Sequence, residues 1–235
     1  MDSRIKEIRE NEKKSHIEIY SKEDLYRTES WLKKPIKTVE DIVPFLCDLK
    51  EVQVLDLGCG VGRNSIYVAK EFQDKECKVE CIDILDMAIE KLNENAKLYG
   101  LDKNINGIVN SIEDFKIINN KYDFILAVSA LEHIESERKF LEKLEEIKDG
   151  VRKNGIVCLV INSEIKEWNR ETLEELEPQF EINLQTDILQ SCIEDVFEGW
   201  DALKSCVVKQ EYDIPRGGIV SHLSTNVITY VGKKR

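Results

Sequence analysis

The chain has 235 residues, 42% of them hydrophobic, which is enough for one sizeable core but short for two comfortable domains. Its formal net charge of −12 works against polyanionic partners, because nucleic-acid binding relies on Lys and Arg to neutralise phosphates; we expect neither nucleic acid nor a membrane as a partner. No apolar run approaches the roughly 20 residues of a membrane span. The charged beginning of the chain lacks the apolar centre of a secretory signal, which predicts a cytoplasmic protein.

The first 37 residues are highly charged but include three aromatic residues, Tyr20, Tyr26 and Trp31. Two interpretations stay open: a solvated helical arm that docks through a few rings, or a lid over a binding site. We therefore divide the chain into an N-terminal helical arm or lid, residues 1–37, and one main domain, residues 38–235.

After this arm the chain alternates between helices and strands, beginning with a helix for which Thr38 is the N-cap candidate. The next predicted elements are strand 52–57, helix 63–72, strand 78–84, a helix closed by Gly100, a short strand near 105–110, strand 121–128, a helix through 140–151, strand 156–162 and helix 187–197. Two last strands flank a predicted hairpin loop with Pro215, Gly217 and Gly218. This order predicts an α/β fold with a doubly wound, mostly parallel sheet, helices on both faces and an antiparallel C-terminal hairpin.

The seven cysteines are scattered, mostly within apolar segments, and none forms a CxxC pair. We interpret them as reduced core thiols and predict no metal site.

A glycine-rich loop directly follows the first predicted strand and has the spacing GxGxG, at Gly58, Gly60 and Gly62. A dinucleotide-binding loop usually reads GxGxxG, and Arg63 stands where its third glycine would be. Asp56, at the end of the strand, would repel a pyrophosphate and attract an ammonium group. These residues favour a nucleoside that carries an ammonium group, such as S-adenosylmethionine, over a nicotinamide dinucleotide.

The second predicted strand ends in another carboxylate, Asp83, which lies 27 residues after Asp56. An acid at this point accepts hydrogen bonds from two ribose hydroxyls in both NAD and S-adenosylmethionine sites. Asp83 therefore supports nucleoside binding without choosing between the two cofactors.

Three segments, LDLGCGVGRNS, CIDI and YDFILAVSALEHI, resemble the nucleoside-binding motifs of class I S-adenosylmethionine-dependent methyltransferases. The resemblance spans roughly residues 52–135 and implies an enzyme with a seven-stranded sheet and S-adenosylmethionine as its cofactor. It implies that Asp56, Gly58 and Gly60 line the methionine end of the cofactor and that Asp83 binds the ribose. It further implies Ser111 and Ile112 for adenine and Val128 beneath the transferred methyl group, and it adds Cys59, Arg63, Asn64 and Ile84 to the cofactor-binding residues.

A finer resemblance links GCGVGRNS, YDFIL, FEGW and TNVITYVGKK to the tellurite-resistance methyltransferases. That group commonly places a histidine and an arginine just before the last strand. Here His222 stands there, and the nearest arginine is Arg216, so the pair is not reproduced as such. A metalloid oxyanion, a thiol or another metabolite is expected as the small-molecule acceptor.

Methyl transfer is an in-line displacement that requires a base only when the nucleophile carries a proton. The candidate catalytic residues are His222 and His133, since an imidazole titrates near working pH, together with Tyr26 from the arm. His16 is a further candidate base. Two rival functions are a non-catalytic S-adenosylmethionine-binding module that acts through a partner protein and an NAD-dependent reductase. No oligomeric state is predicted.

Overall fold

A computed structural model describes residues 3–22, 24–216 and 218–235. The helices are α1 (Ser3–Lys22), α2 (Lys37–Ile42), α3 (Arg63–Glu71), α4 (Asp86–Leu98), α5 (Glu137–Gly150) and α6 (Thr186–Val196). The strands are β1 (Glu51–Leu57), β2 (Glu76–Asp83), β3 (Ile105–Val109), β4 (Tyr122–Val128), β5 (Val151–Asn169), β6 (Glu175–Leu176), β7 (Asp201–Arg216) and β8 (Ile219–Lys233). Across these residues, none of the helices has the length and apolar character needed to cross a membrane.

One mixed sheet organises the chain in the order β3-β2-β1-β4-β5-β8-β7, and the two-residue β6 pairs with β5. Strands β1 to β5 run parallel, whereas β8 is antiparallel to both β5 and β7. One hydrophobic cluster lies between the sheet and helices α2, α3 and α4, and a second between the sheet and α5 and α6. The predicted doubly wound sheet with its antiparallel hairpin is confirmed, and the seven strands of its main path match the expected number.

The last three long strands continue well past the edge at which β4 ends. Val128, the last residue of β4, pairs with Val160, but β5 continues to Asn169, about 30 Å further at 3.3 Å per residue. We call residues 161–169, 207–216 and 219–228 the β-extension. The prediction that Pro215 lies in the hairpin loop is wrong, because β7 includes it; β7 is an edge strand, which tolerates the missing N–H of proline. Gly217 lies outside the described residues.

The predicted N-cap of the first domain helix is also wrong. Helix α2 begins at Lys37, and its N-cap is Ile36, without a side-chain hydrogen bond. Thr38 is buried, and its hydroxyl accepts a hydrogen bond from Lys204 Nζ at 3.0 Å. The Thr38 side chain therefore packs against the sheet, where it cannot cap the helix.

Helix α1 lies across the carboxyl edge of the sheet, next to the β-extension. Arg4 donates to Glu177 and to the Phe180 carbonyl, and Glu12 accepts from Arg216. The loop after α1 is anchored by Leu25 and Leu32, both of which pack in the first hydrophobic cluster. The arm thus contacts the domain both through α1 and through the loop that follows it.

Candidate active site

The glycine loop is tied to the neighbouring strand by backbone hydrogen bonds. Gly58 N and Cys59 N both donate to the Ile82 carbonyl, at 2.8 and 3.0 Å. Gly58 and Gly60 have φ angles of 74° and 52°, a region that disfavours a side chain, and a Cβ on Gly58 would collide with Ala130. The loop therefore presents bare backbone at the ends of β1 and β2.

Asp83 fixes the inner edge of this loop. Its Oδ2 accepts from Gly60 N at 2.8 Å, and its Oδ1 accepts from Leu85 N at 2.9 Å. Burial raises the pKa of Asp83, while these two backbone donors favour its ionised form. The carboxylate is thus held rigidly at the end of β2, where the resemblance implies the ribose.

Asp56 lies beneath the loop and is only 1% exposed. Burial raises its pKa to about 7, against the effect of Ser65, whose hydroxyl donates to Asp56 Oδ2 at 2.5 Å. The negative charge of Asp83 raises the pKa further. Two carboxylates so close together would be stabilised by a cationic group placed between them.

The methionine side of the loop is bordered by the start of α3. The Arg63 guanidinium lies 5.2 Å from the centre of the Trp31 ring, and partial burial lowers its pKa. Asn64 is buried, and its Oδ1 accepts from Ile36 N at 3.1 Å. Arg63 is therefore the available cation here, whereas the Asn64 carbonyl oxygen joins α3 to the arm.

On the opposite side the loop after β3 completes the pocket. Ile84 is 50% exposed beside Asp83, so its apolar side chain is free to contact a ring. The Ser111 hydroxyl donates to Asp114 at 2.9 Å, and Ile112 Cδ1 lies 3.7 Å from the position of a Cβ on Gly58. The structure thus brings Ile84 and Ile112 to the glycine loop, whereas the hydroxyl of Ser111 is hydrogen-bonded to Asp114 in the turn that follows it.

The turn after β4 lies below this pocket. Ser129 has a positive φ of 50°, and its N–H donates to the Val160 carbonyl. This left-handed residue turns the chain directly after Val128 and brings Ala130 against Gly58.

Helix α1 covers the pocket from the solvent side. The Tyr20 hydroxyl lies 2.7 Å from the position that a Cβ on Gly60 would take, and Tyr20 is 7% exposed. Arg9 forms ion pairs with Glu113 at 2.5 Å and with Glu181 at 3.1 Å, and both carboxylates are almost fully buried. The face of α1 that carries Arg9 and Tyr20 therefore closes the edge at which the strands end.

Residues 54–155 match the family model described as "Methyltransferase domain", and they include the glycine loop, Asp83 and the turn after β4. Residues 54–155 are thus similar to a methyltransferase domain. The resemblance deduced from the motifs is confirmed at this level.

The curated proteins with similar sequences include methyltransferases. A ubiquinone biosynthesis O-methyltransferase of Rickettsia canadensis is 29% identical over 121 residues, which cover 52% of this chain and 47% of that protein. The chain thus spans about half the length of the curated relatives that it matches.

Two solved structures share the fold of the methyltransferase domain. An S-adenosylmethionine-dependent methyltransferase of Methanosarcina mazei has a TM-score of 0.61 and 14% identity, covering 86% of this chain and 98% of that chain. TehB from Haemophilus influenzae has a TM-score of 0.59 and 21% identity, covering 83% of this chain and 62% of that chain. At these identities the similarity concerns the fold alone.

The residues of the methyltransferase domain fit S-adenosylmethionine, the cofactor of this class. The bare backbone of Gly58 and Gly60 admits a ligand at close range, and the buried Asp56 suits an ammonium group. Asp83 offers two carboxylate oxygens to a ribose, and Ile84 offers an exposed apolar surface to adenine.

The three candidate catalytic residues lie in three different places around this domain. Tyr26 has a positive φ of 62°, and its hydroxyl donates to the Arg63 carbonyl at 2.7 Å, so it lies on the methionine side. Burial raises the pKa of its phenol. Its catalytic role stays a prediction.

His133 lies under α1, stacked on Phe180, with Nδ1 2.9 Å from Glu181 Oε2. Burial lowers its pKa, but the hydrogen bond to Glu181 and the charge of Glu12 outweigh burial and raise it to about 9. His133 is therefore protonated at neutral pH and cannot accept a proton in this arrangement. Its role as a base also stays a prediction.

His222 lies on the β-extension and pairs with Trp168 and Asp213. Its Nδ1 is 2.7 Å from Asp213 Oδ1. Side chains alternate along a strand, and the neighbouring pair of Leu223 with Glu167 faces α1. His222 consequently points to the opposite face, and the structure does not bring it to the glycine loop.

Sequence reasoning missed the charged residues that face this site from α1 and from the β-extension, above all Arg9, Glu12 and Arg216. One signal was available: Glu12, His16 and Tyr20 follow one another at intervals of four, which places them on one helical face. No local pattern shows which surface that face covers.

Proposed function

We propose that this chain is an S-adenosylmethionine-dependent methyltransferase that acts on a small-molecule acceptor. The observation that carries the proposal is the placement of Asp56 and Asp83 at neighbouring strand ends, under and beside a loop of bare glycine backbone. This arrangement suits a ligand that combines an ammonium group with a ribose, and it would repel a pyrophosphate.

The chain's own residues would position this cofactor. Asp56 would bind its ammonium, Arg63 its carboxylate and Asp83 its ribose hydroxyls, with Ile84 and Ile112 along the adenine. When bound, the cofactor supplies a methyl group that its sulfonium already activates. The remaining task of the protein is to orient the acceptor and to exclude water, and α1 is the element placed to do both.

Among the acceptors predicted from the sequence, a metalloid oxyanion is the least compatible with the charges under α1. Glu12 and Glu167 on that side pair with Arg216, but Glu132 has no ion-pair partner among the described residues and would repel an anion. Membership of the tellurite-resistance group therefore stays a prediction from the sequence motifs. A neutral or cationic acceptor is better matched to this lining.

Calorimetry with S-adenosylmethionine, S-adenosylhomocysteine and NADH tests the proposal. We expect the two sulfur compounds to bind and NADH not to bind, and Asp83→Ala to weaken both sulfur ligands. Equal or tighter binding of NADH would contradict the proposal. Binding without transfer of a labelled methyl group to any metabolite would instead support a non-catalytic module that acts through a partner.

A further inference from the structure

Buried polar atoms without an aligned hydrogen-bond partner gather in one region of the described chain. They are Glu132 Oε2, Glu167 Oε2, Arg216 Nε and Ser221 Oγ. Buried polar groups in native proteins are almost always paired, so such a group calls for a specific explanation, such as a ligand. Arg216 Nε already lies within 2.8 Å of Glu167 Oε1, so the three oxygen atoms are the ones that indicate a binding site whose ligand completes the pairing.

Contacts place these atoms together between α1 and the β-extension. Arg216 Nε lies 2.8 Å from Glu167 Oε1, and Arg216 Nη1 donates to Glu12 of α1 at 2.6 Å. Ser221 pairs with Ile214, which shares a face with Arg216 two residues further along β7. Glu132 accepts from the Asn162 side chain, and Asn162 accepts from Thr225, which lies on the same strand face as Leu223, the partner of Glu167. We call the space between α1 and the β-extension the α1 chamber.

The α1 chamber adjoins the cofactor side of the domain. Glu132 follows Ala130 by two residues, and Ala130 lies against Gly58, which limits the separation of the Glu132 and Ala130 Cα atoms to about 7 Å. A ligand at Glu132 would therefore lie close to Gly58, at the end of the pocket where the resemblance implies the methionine part of the cofactor.

The charges that line the α1 chamber determine which kind of ligand can bind there. Five carboxylates surround the chamber and its rim, against four cationic groups even when both imidazoles are protonated. The carboxylates are Glu12, Glu113, Glu132, Glu167 and Glu181, and the cationic groups are Arg9, His16, His133 and Arg216. Arg9 and His133 already bind Glu181. With Glu132 ionised, the lining therefore has one negative charge in excess, and Glu132 Oε2 and Glu167 Oε2 are acceptor atoms without a partner among the described residues.

Among these five carboxylates, Glu132 is the one whose negative charge is least balanced by neighbouring groups. It is 1% exposed, and Oε1 accepts from the Asn162 side chain, while Oε2 has no partner among the described residues. Burial raises its pKa, against the charge of His133 and the hydrogen bond from Asn162. A cationic donor beside Oε2 would restore the ionised form.

Resting on the proposed function, we propose that the α1 chamber binds the methyl acceptor and that this acceptor is an amine, held by Glu132 and Glu167. The bound ammonium transfers one proton to the Glu132 carboxylate and becomes a neutral amine. Its nitrogen lone pair then forms the N–C bond to the methyl group while the C–S bond breaks. The electron pair of that bond goes to sulfur, so the products are an N-methylammonium ion and S-adenosylhomocysteine.

The first experiment uses the full chain, a cofactor with a labelled methyl group, and a small-molecule extract of the source cells. Ion exchange near neutral pH divides the extract into cationic, neutral and anionic fractions. We expect label in the cationic fraction. Label confined to the anionic or neutral fraction, or no transfer by a protein that still binds S-adenosylhomocysteine, would overturn the amine proposal but not cofactor binding. Failure to bind S-adenosylhomocysteine would overturn the proposed function itself.

The second experiment tests the two carboxylates. Glu132→Gln and Glu167→Gln should each lower transfer to the cationic fraction by at least about tenfold, the effect of one charge-assisted hydrogen bond. S-adenosylhomocysteine affinity should stay within about twofold of wild type. Glu142→Gln, at an exposed ion pair on α5, is the matched control and should leave transfer unchanged.

A binding measurement does not depend on turnover. Equilibrium dialysis of the cationic fraction, followed by mass spectrometry, should show amines retained by the wild type and by Glu142→Gln, and lost with either chamber variant. Equal retention by all four proteins would overturn the role of Glu132 and Glu167. Thermal melting shows which variants fold, and a variant that does not fold is replaced by Glu132→Asp or Glu167→Asp, which move the carboxylate but keep its charge.

Discussion

The hydroxyl of Tyr20 lies 2.7 Å from the position that a Cβ on Gly60 would take. The last turns of α1 therefore rest directly on the second glycine of the loop, and the arm and the cofactor pocket share a surface. Access to the pocket is consequently coupled to the position of α1.

Gly60→Ala should disrupt the contact between α1 and the glycine loop. The new methyl group meets Tyr20, and the φ of 52° adds backbone strain, so we expect a loss of about 1–3 kcal/mol in the free energy of unfolding. Gly100→Ala is the matched control, because its φ is 68° but nothing lies within 4 Å of the added Cβ. Hydrogen exchange should speed up in α1 only for Gly60→Ala, and equal exchange in both variants would contradict the contact.

Arg9→Ala should weaken the attachment of the middle of α1 to the rest of the chain. Arg9 is the partner of two carboxylates, Glu113 and Glu181, that are 4% and 2% exposed, and loss of the cation leaves them unpaired. Breaking a buried pair in this way costs about 3 kcal/mol at the lower end of the usual range. Urea unfolding measures this cost. Arg27→Ala, which removes an exposed ion pair with Asp24, should change stability by less than about 1 kcal/mol.

The strands and helices around the glycine loop were predictable from the sequence because their signals are local. An apolar run before GxGxG predicts β1, and a periodic apolar face closed by Gly100 predicts α4. Asp56 and Asp83 were predictable as neighbours because parallel strands end at one edge of the sheet.

The α1 chamber was not predictable in the same way. Glu12, Glu132, Glu167 and Arg216 come from four distant parts of the chain, and only the length of β5 and the path of α1 bring them together. A strand that continues past its expected end at residue 162 has no local signal, because its continuation is stabilised by pairing with β8. His222 was predicted just before the last strand, in the hairpin loop, but β8 begins at Ile219 and includes it, and its place in the pairing turns its side chain away from α1.

Protonation of Asp56 should make stability depend on pH. Its pKa of about 7 in the folded chain exceeds the ordinary value of 3.8, so the folded state favours the protonated acid. The cost of ionising it is absent below the unfolded pKa, grows as pH rises, and is complete above about 7. Asp56→Asn should therefore gain stability relative to wild type as the pH rises from about 4 to about 7, as measured by urea unfolding. A constant difference across this range would show that Asp56 does not titrate there.

Protonated His133 should stabilise α1 only below a limiting pH. Its folded pKa of about 9 lies above the ordinary value of 6.5, so its contribution is complete below 6.5 and is lost as pH rises through 9. Glu12, the nearby α1 carboxylate, has its pKa lowered to about 2 and stays ionised throughout this range. Limited proteolysis within α1 should speed up between about pH 7 and pH 9.5 in the wild type. The His133→Gln variant should be cleaved at a constant rate across this interval. A constant rate in the wild type as well would show that protonation of His133 does not protect α1.

The substitutions Asp83→Ala and His222→Ala should have different effects, because Asp83 lies in the cofactor site and His222 lies on the face of the β-extension that is turned away from α1. Asp83 accepts from Gly60 N in the glycine loop and from Leu85 N after β2, and its loss should weaken the binding of S-adenosylhomocysteine by about 1–3 kcal/mol in calorimetry. His222 faces away from α1 and is bound by Asp213, so its loss should leave both cofactor affinity and methyl transfer within about twofold of wild type. A drop in transfer beyond about tenfold, at unchanged cofactor affinity, would restore His222 as the base predicted from the sequence and would move the acceptor site out of the α1 chamber.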